Sequence, residues 1–434
     1  MLEIKAKDYL AVKNATISLN GITVVSGING CGKSTLAKSA YELLFTALNY
    51  DRFVDEKIEQ DISELKRSLR SAIMNISGFT SHAETSRIKQ DFRQAYFSDN
   101  STKIIDLINS LIAICDQIEG HLDSYQKKYY DAFVAITRSS LGPQYKSENQ
   151  ASILLNLLKQ KILDEEEYST SMKTNRSIDV FQSQWINLFE QKLNPSLFNV
   201  YENGVPIVDG TRKVILYPNL IENVFYIDTP MSLSEERYSF FGLQKKHWID
   251  LNSALKSVDK MGESFDYHSK EDLGILDGDF EWNDDKETFI YQTPDSGPAF
   301  DLIKYGATGL KSFVILQTLY RKGLINSKTL LILDEPEAHL HPQWIVHFAR
   351  FIVLLRKETG CTFLISSHST DMISSLSSMS EKELEKGAVF YLAEPDDTNK
   401  FVYNFNNHGN DIEPLFEVFN KSFRMMDRYT ENAI

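Results

Sequence analysis

The chain has 434 residues, of which 42% are hydrophobic and 24% charged, a size that allows more than one domain and a composition typical of globular proteins. Its formal net charge of −14 argues against a broad basic face for nucleic acid, although a local basic patch is compatible with it. Cys31, Cys115 and Cys361 lie far apart without metal-ligand spacing, and no secretion signal or transmembrane-length apolar run is visible, so the sequence predicts a cytoplasmic protein without membrane contact.

The first motif follows a short apolar run near the amino terminus. Residues 22–26 predict a buried strand, and residues 27–35, GINGCGKST, then match the pattern G-x-x-x-x-G-K-[ST]. The letters after the motif are good helix formers. The sequence therefore predicts a strand, a phosphate-binding loop and a helix in succession.

Each fixed residue of this loop has a chemical reason. Glycines leave backbone N–H groups open to a polyphosphate, because a Cβ atom would block the approach. Lys33 would reach the β- and γ-phosphates of ATP, Ser34 would offer its hydroxyl to Mg²⁺, and the helix N-terminus favours anions. The predicted nucleotide-binding residues are Gly27, Asn29, Gly30, Cys31, Gly32, Lys33, Ser34 and Thr35.

The middle of the chain, assigned to an all-α insertion over 50–197, carries helical patterns. Apolar residues form one stripe over 54–73, and steps of four and three over 104–129 predict a heptad seam. Further helices are predicted over 151–163 and 178–193. These stripes must pack together or on a partner, and two arrangements stay open: a helical lid over the rest of the chain, or a short coiled-coil arm.

Acidic residues and a histidine follow two later strands. The run at 329–333 predicts a central parallel strand, with Asp334 and Glu335 at its carboxyl end, where open α/β sheets concentrate ligand chemistry. Asp334 would hold the Mg²⁺ shell, and Glu335 would orient the attacking water. After a helix predicted over 343–357, a third strand ends at His368, whose imidazole can hydrogen-bond the γ-phosphate or the water.

The carboxyl-terminal segment predicts a strand and then an amphipathic helix, which we assign to 411–434. Its apolar residues are Ile412, Leu415, Phe416, Phe419 and Phe423. Two roles stay open for this helix: it covers the core, or it offers aromatic side chains to a partner protein.

Together, the glycine-rich loop, the segment DEPEAHLHP (334–342) and the strand that ends in Ser-Ser-His resemble ATP-binding-cassette (ABC) ATPases. More narrowly, they resemble the soluble group related to SMC, Rad50, RecF and overcoming-lysogenization-defect proteins. The resemblance covers 1–49 and 198–410 and implies an α/β fold: an ABC-type P-loop core with a mixed sheet and flanking helices, interrupted by the helical insertion. Hairpins expected at 2–19 and 278–293 suit this core.

The resemblance also implies a signature loop, and the candidate is KYGATGLKS (304–312). Thr308 and Gly309 would replace the family's Ser-Gly and complete the ATP site of a second subunit from a helix N-terminus. The alternative is that Thr308 is an ordinary helix cap. No glutamine matches the family's Q-loop, and Asp228, at the end of FYIDTP (225–230), is the substitute that we consider.

The function that the resemblance implies is an ATPase that binds and hydrolyses Mg²⁺-ATP as a homodimer or higher homo-oligomer. It would control a separate effector protein, a nuclease or toxin, as ATPase subunits of bacterial anti-phage systems do. Two alternatives stay open. One is a DNA-binding ATPase of repair or recombination, although charge does not indicate nucleic acid; the other is an ATP-bound clamp that holds a toxin or nuclease inactive without hydrolysis.

Overall fold

The computed structural model describes two compact units. One combines Met1–Leu48 with Phe181–Ile434, and the other is Asn49–Val180. The second unit begins one residue before the predicted insertion (50–197) and ends before its predicted boundary. The described residues are 1–98, 101–178, 197–228, 246–256, 279–283, 285, 288–292, 298–306 and 308–421.

The first unit is built on a mixed sheet of eleven strands in the order β6-β5-β4-β1-β2-β14-β13-β3-β12-β11-β7, beside a three-stranded sheet of β10-β9-β8. The strands are β1 (Leu2–Tyr9), β2 (Val12–Leu19), β3 (Ile22–Ser26), β4 (Phe198–Glu202), β5 (Val205–Asp209), β6 (Val214–Ile215), β7 (Asn223–Ile227), β8 (Asp279–Asn283), β9 (Thr288–Gln292), β10 (Ala299–Asp301), β11 (Thr329–Asp334), β12 (Thr362–Ser366), β13 (Val389–Pro395) and β14 (Tyr403–Gly409).

The α-helices with defined bounds are divided between the two units. They are α1 (Lys33–Leu48), α2 (Tyr50–Ile73), α3 (His82–Tyr96), α4 (Ser101–Ile118), α5 (Ser124–Leu141), α6 (Ala151–Asn175), α7 (Lys246–Lys256), α8 (Leu302–Tyr305), α9 (Thr308–Arg321), α10 (Pro342–Thr359) and α11 (Thr370–Glu383). Helices α2 to α6 belong to the second unit. The predicted α/β core with flanking helices is confirmed, and none of the described helices has both the length and the apolarity needed to span a membrane.

The central strands are apolar because helices cover both of their faces. Every residue of β3 and of β11 is buried, as expected for interior parallel strands. Helix α10 supplies one cover: His341 caps its first turn, Pro342 occupies its first position, and Gly360 ends it with a φ of +72°. The helix predicted at 343–357 is therefore confirmed within one or two residues at each end.

The two predicted hairpins and the start of the terminal helix are present. Strands β1 and β2 pair antiparallel, as do β8 and β9. Residues 413–421 are helical, and Leu415 is fully buried in the core with Phe416 and Phe419 packed against it. This part of the helix covers the core, while Phe423 lies outside the described residues.

The second unit has its own hydrophobic core, formed by α2 to α6. Helix α4 packs against α6, and α2 packs against both α5 and α6. Helices α2 and α6 contain the patterns predicted at 54–73 and 151–163. The pattern at 178–193 lies outside the described residues except for its first position.

The predicted heptad seam over 104–129 is wrong as a single helix. Gly120, with a φ of +97°, follows the end of α4, and Asp123 starts α5 by accepting hydrogen bonds from the N–H groups of Tyr125 and Gln126. Tyr125, a supposed seam position, is 64% exposed. The spacing continued across a turn because apolar residues on both sides face the bundle core, so the described part of this unit holds no long coiled-coil helix at this position.

Candidate nucleotide site

Parallel pairing brings the predicted motifs to one edge of the large sheet. Strands β3, β12, β11 and β7 lie side by side and parallel. Asp334 is the register partner of Ser366, and the glycine-rich loop leaves the same edge after Ser26. The carboxyl ends of parallel strands always share an edge, which is why distant segments of the sequence meet here.

The glycines of the loop fall into two groups. A Cβ on Gly27 would lie 2.8 Å from the Cβ of Ala393, and one on Gly32 would lie 2.9 Å from Cγ2 of Val12. A Cβ on Gly30, whose φ is +81°, would meet no atom within 4 Å. Gly27 and Gly32 therefore allow close packing of the loop, whereas Gly30 leaves open space beside it, as a phosphate cradle requires.

Two loop residues differ in their surroundings. Asn29 is exposed, but Cys31 is fully buried, and burial raises the pKa of its thiol. Cys31 thus contributes packing and its backbone to the loop, since a buried thiol of raised pKa stays protonated and unreactive.

The first turn of α1 contains the charged and hydroxyl groups of the motif. The ammonium of Lys33 donates to the carbonyls of Gly27 at 3.0 Å and Ile28 at 3.2 Å, and the residue is only 5% exposed. Ser34 and Thr35 follow it and line the adjacent cavity. A cation held under the loop adds to the positive potential of the helix N-terminus.

Asp334 is fixed by three hydroxyl donors. Oγ of Ser34 donates to its Oδ1 at 3.1 Å, and the hydroxyl of Tyr226 donates to its Oδ2 at 2.9 Å. Ser366 also donates to Oδ1. The pKa of Tyr226 lies well above its ordinary value, first because the group is buried and then because the negative charge of Asp334 is close, so this phenol remains a donor at neutral pH.

Glu335 has an unusual backbone conformation. Its φ is +51°, a left-handed region that is uncommon for glutamate, and its N–H donates to the carbonyl of Ser366 at 2.8 Å. Oε1 of Glu335 lies 3.3 Å from Nδ1 of His368. The turn after β11 therefore brings the predicted water-orienting carboxylate and the predicted phosphate sensor together.

The same turn contains a second acid whose position the motif did not predict. Glu337 is 7% exposed, and its Oε1 accepts hydrogen bonds from the hydroxyl of Ser367 at 2.6 Å and the N–H of His368 at 3.1 Å. Its Oε2 has no hydrogen-bond partner among the described residues. Burial is the main cause of its raised pKa.

A cavity of about 300 Å³ lies against the loop and Glu335. Its lining residues are Leu10, Ala11, Asn29, Gly30, Gly32, Lys33, Ser34, Thr35 and Glu335. Mg²⁺ prefers oxygen ligands and is held by few protein groups beside substrate phosphates, and the hydroxyl of Ser34 and the carboxylate of Asp334 provide such ligands. Together with the open space at Gly30, this donor set fits a magnesium nucleotide.

Two further predictions concern the signature loop and Asp228, the substitute that we consider for the Q-loop glutamine. Thr308 is the first residue of α9, and a Cβ on Gly309 would come within 2.5 Å of Cδ2 of Leu340. Gly309 is not among the described residues that line the cavity. Oδ1 of Asp228 accepts a hydrogen bond from Nε1 of Trp248 at 2.7 Å and lies 3.2 Å from Nε2 of His247.

The solved structures to which this chain is similar include SMC head domains. One is the SMC head domain from Thermotoga maritima, with 14% identity and a TM-score of 0.28 over 48% of this chain and 64% of that chain. Another is an Smc head bound to the C-terminal winged-helix domain of ScpA, with 11% identity and a TM-score of 0.37 over 96% and 98%. A third is the Smc head with an extended coiled coil bound to the C-terminal domain of ScpA, derived from Pyrococcus furiosus, with 9% identity and a TM-score of 0.33 over 99% and 100%.

Comparison with curated proteins found no matching sequence. The model of the AAA ATPase domain family matches residues 1–373, a range that contains the glycine-rich loop, Asp334, Glu335 and His368. The chain therefore belongs to the AAA ATPase domain family.

Proposed function

We propose that this protein binds Mg²⁺-ATP in the cavity beside the glycine-rich loop and hydrolyses it. The observation that carries the proposal is the hydrogen bond between Ser34 and Asp334, 300 residues apart in the chain, next to a cavity that Glu335 lines. Phosphoryl transfer requires positioning and charge neutralisation more than covalent chemistry from the protein. These residue types at one sheet edge are suited to both tasks.

Each residue has a proposed role. Lys33 and the loop N–H groups bind the phosphates, and Ser34 and Asp334 are the residues that would hold Mg²⁺, which supplies charge neutralisation when bound. Glu335 orients the attacking water. His368 hydrogen-bonds the γ-phosphate, and its contact with Glu335 at 3.3 Å supports a coupled position of the two groups.

We further propose that two chains form a homodimer around nucleotide. Gly309 is not among the described residues that line the cavity of its own chain, and head-to-tail contact would bring Thr308 and Gly309 of one chain to the γ-phosphate bound by the other. The proposed output of this cycle is control of a separate effector protein, a nuclease or toxin in anti-phage defence. Its ground is the sequence resemblance to ATPase subunits of such systems.

The test is steady-state ATP turnover by the purified full chain with and without Mg²⁺, together with nucleotide binding by calorimetry. Glu335→Gln should abolish most turnover while ATP binding persists, and Lys33→Ala should weaken binding itself. Glu385→Gln, an exposed acid on the same unit, is the matched control. Turnover that is unchanged in Glu335→Gln would refute the assigned role, and ATP-driven dimerisation without turnover in the wild type would favour the clamp.

A further inference from the structure

A groove in the second unit is lined by residues other than those that we assign to the nucleotide site. It lies along α2, α3 and the residues that follow each helix, and it encloses a cavity of about 350 Å³. Its floor contains Phe92, which belongs to the core of the bundle. We define this surface, the α2–α3 groove, by six of its lining residues: Arg70, Lys89, Arg93, Met74, Phe92 and Phe97.

The groove concentrates positive charge in an acidic protein. Arg70, Lys89 and Arg93 are exposed and line it, and none of the described residues that line it is acidic. None of the three makes an ion pair with another residue in the part of the chain that the structure describes. Arg87, on the same helix as Lys89 and Arg93, does pair with Asp91, so α3 carries an acid that is not among the described lining residues of the groove.

The same groove exposes large apolar side chains. Phe97 is 84% exposed and Met74 is 64% exposed, at the edge of a floor that is itself buried. The rings of Tyr96 and Phe97 meet edge to face at 5.3 Å between centroids, and those of Phe92 and Tyr96 lie 5.4 Å apart. Aromatic side chains, Met and Arg are the residue types enriched at protein interfaces.

We propose that the α2–α3 groove binds an acidic segment of a partner protein that inserts one or two bulky apolar side chains into the cavity. Three exposed cations around an apolar floor complement carboxylates that flank an apolar anchor, which gives both register and affinity. The net charge of −14 repels every anionic ligand, but it repels a phosphate backbone, with a charge on each nucleotide, more strongly than a short segment with a few carboxylates, so nucleic acid is the less favoured occupant. This proposal rests on the proposed function in one respect only: we take the partner to be the effector protein.

The test selects short random displayed peptides on the immobilised full chain, without nucleotide. In parallel, the same library is selected on Arg70→Glu/Arg93→Glu and on the matched control Lys127→Glu/Lys128→Glu, which reverses two exposed charges on α5 of the same unit. Peptides enriched on the wild type should be rich in Asp and Glu around Leu, Phe or Trp. They should be recovered from the control variant and lost from the groove variant.

The leading peptide is then measured in solution by fluorescence anisotropy. Arg70→Glu/Arg93→Glu should weaken its binding at least about tenfold, and Met74→Ala/Phe97→Ala should also weaken it, while Lys127→Glu/Lys128→Glu should change it less than about twofold. Unfolding midpoints check that each variant is folded. The proposal would be wrong if the enriched peptides lacked acidic residues, or if the control variant lost peptide binding as much as the groove variant does.

A single-stranded thymidine oligonucleotide is the competing probe. If it binds more tightly than the peptide and with the same dependence on Arg70 and Arg93, the groove is a nucleic-acid site and the peptide proposal is wrong. The peptide assay contains no ATP, so a negative result there does not contradict the proposed ATPase function. In the same way, absence of ATP turnover would not contradict peptide binding in the groove.

Discussion

The hydroxyl of Tyr226 donates a hydrogen bond of 2.9 Å to Oδ2 of Asp334 across two adjacent parallel strands. Because Ser34 and Ser366 donate to the other oxygen, Oδ1, both oxygens of this carboxylate have fixed directions. A buried hydrogen bond to a charged acceptor contributes more to stability than one between two neutral groups. Tyr226 therefore positions the group that we expect to hold Mg²⁺.

Tyr226→Phe should weaken Mg²⁺-dependent ATP binding by roughly tenfold and lower the free energy of unfolding by about 1–3 kcal/mol. The reason is that Oδ2 of Asp334 loses its donor in a buried setting. Calorimetric titration of ATP with and without Mg²⁺ measures the first effect, and urea unfolding measures the second.

Tyr41→Phe is the matched control, because the Tyr41 hydroxyl donates to Asp250 at a longer 3.3 Å in a partly buried setting. Its loss should leave the difference between titrations with and without Mg²⁺ unchanged. If Tyr226→Phe likewise leaves that difference unchanged, the phenol has no positioning role.

The glycines of the loop should respond differently to a methyl group. Gly27→Ala and Gly32→Ala should lower the free energy of unfolding by several kcal/mol, because the new Cβ would lie within 3 Å of Ala393 or Val12. Gly30→Ala should cost only about 1–2 kcal/mol, from its left-handed backbone, yet weaken ATP binding, because its Cβ would enter the open space. Urea unfolding and ATP titration of the three variants separate the two effects, and equal destabilisation by all three would contradict this division.

The buried Glu337 predicts a specific pH dependence. Since burial raises its pKa above the ordinary value of 4.5, the ionised form is disfavoured in the folded state, and stability falls as pH rises from near 4.5 through the higher folded pKa. Glu337→Gln removes this ionisation. The variant should therefore show a smaller loss of unfolding free energy than the wild type between about pH 5 and about pH 8.

Urea titrations at several pH values test this difference. Glu385→Gln, which replaces an exposed carboxylate on the same unit, should keep the pH profile of the wild type. Superimposable profiles for Glu337→Gln and the wild type would show that ionisation of Glu337 carries no cost in the fold.

The sequence predicted the core of the fold because the informative patterns are local. An apolar run that ends in Asp334, and a glycine-rich loop that ends in Lys33 and Ser34, identify strand ends without any knowledge of the rest of the chain. Tyr226 was missed because a tyrosine inside an apolar strand looks like an ordinary core residue. Only the parallel register of β7 with β11 puts its hydroxyl beside Asp334.

The sequence did not reveal the buried position of Glu337, and it wrongly predicted one heptad seam, for different reasons. Glu337 follows a left-handed residue, Glu335, and that backbone turn decides which acid is buried; residue spacing alone does not reveal it. In the second unit, apolar steps continue past Gly120, although glycine in a left-handed conformation ends α4 there. Periodicity reports which side chains face a core, and it does so on both sides of a turn.

The break between α4 and α5 supplies the last prediction. Oδ1 of Asp123 accepts hydrogen bonds of 2.8 Å from the N–H groups of Tyr125 and Gln126, so Asp123→Ala should lower the free energy of unfolding by about 0.5–2 kcal/mol. Asp131→Ala, an exposed position within α5, is the control and should change stability by less than about 0.5 kcal/mol. Urea unfolding followed by circular dichroism measures both. If one helix ran through this region, Asp123→Ala would instead raise helix content and stability, because alanine is the better helix former within a helix.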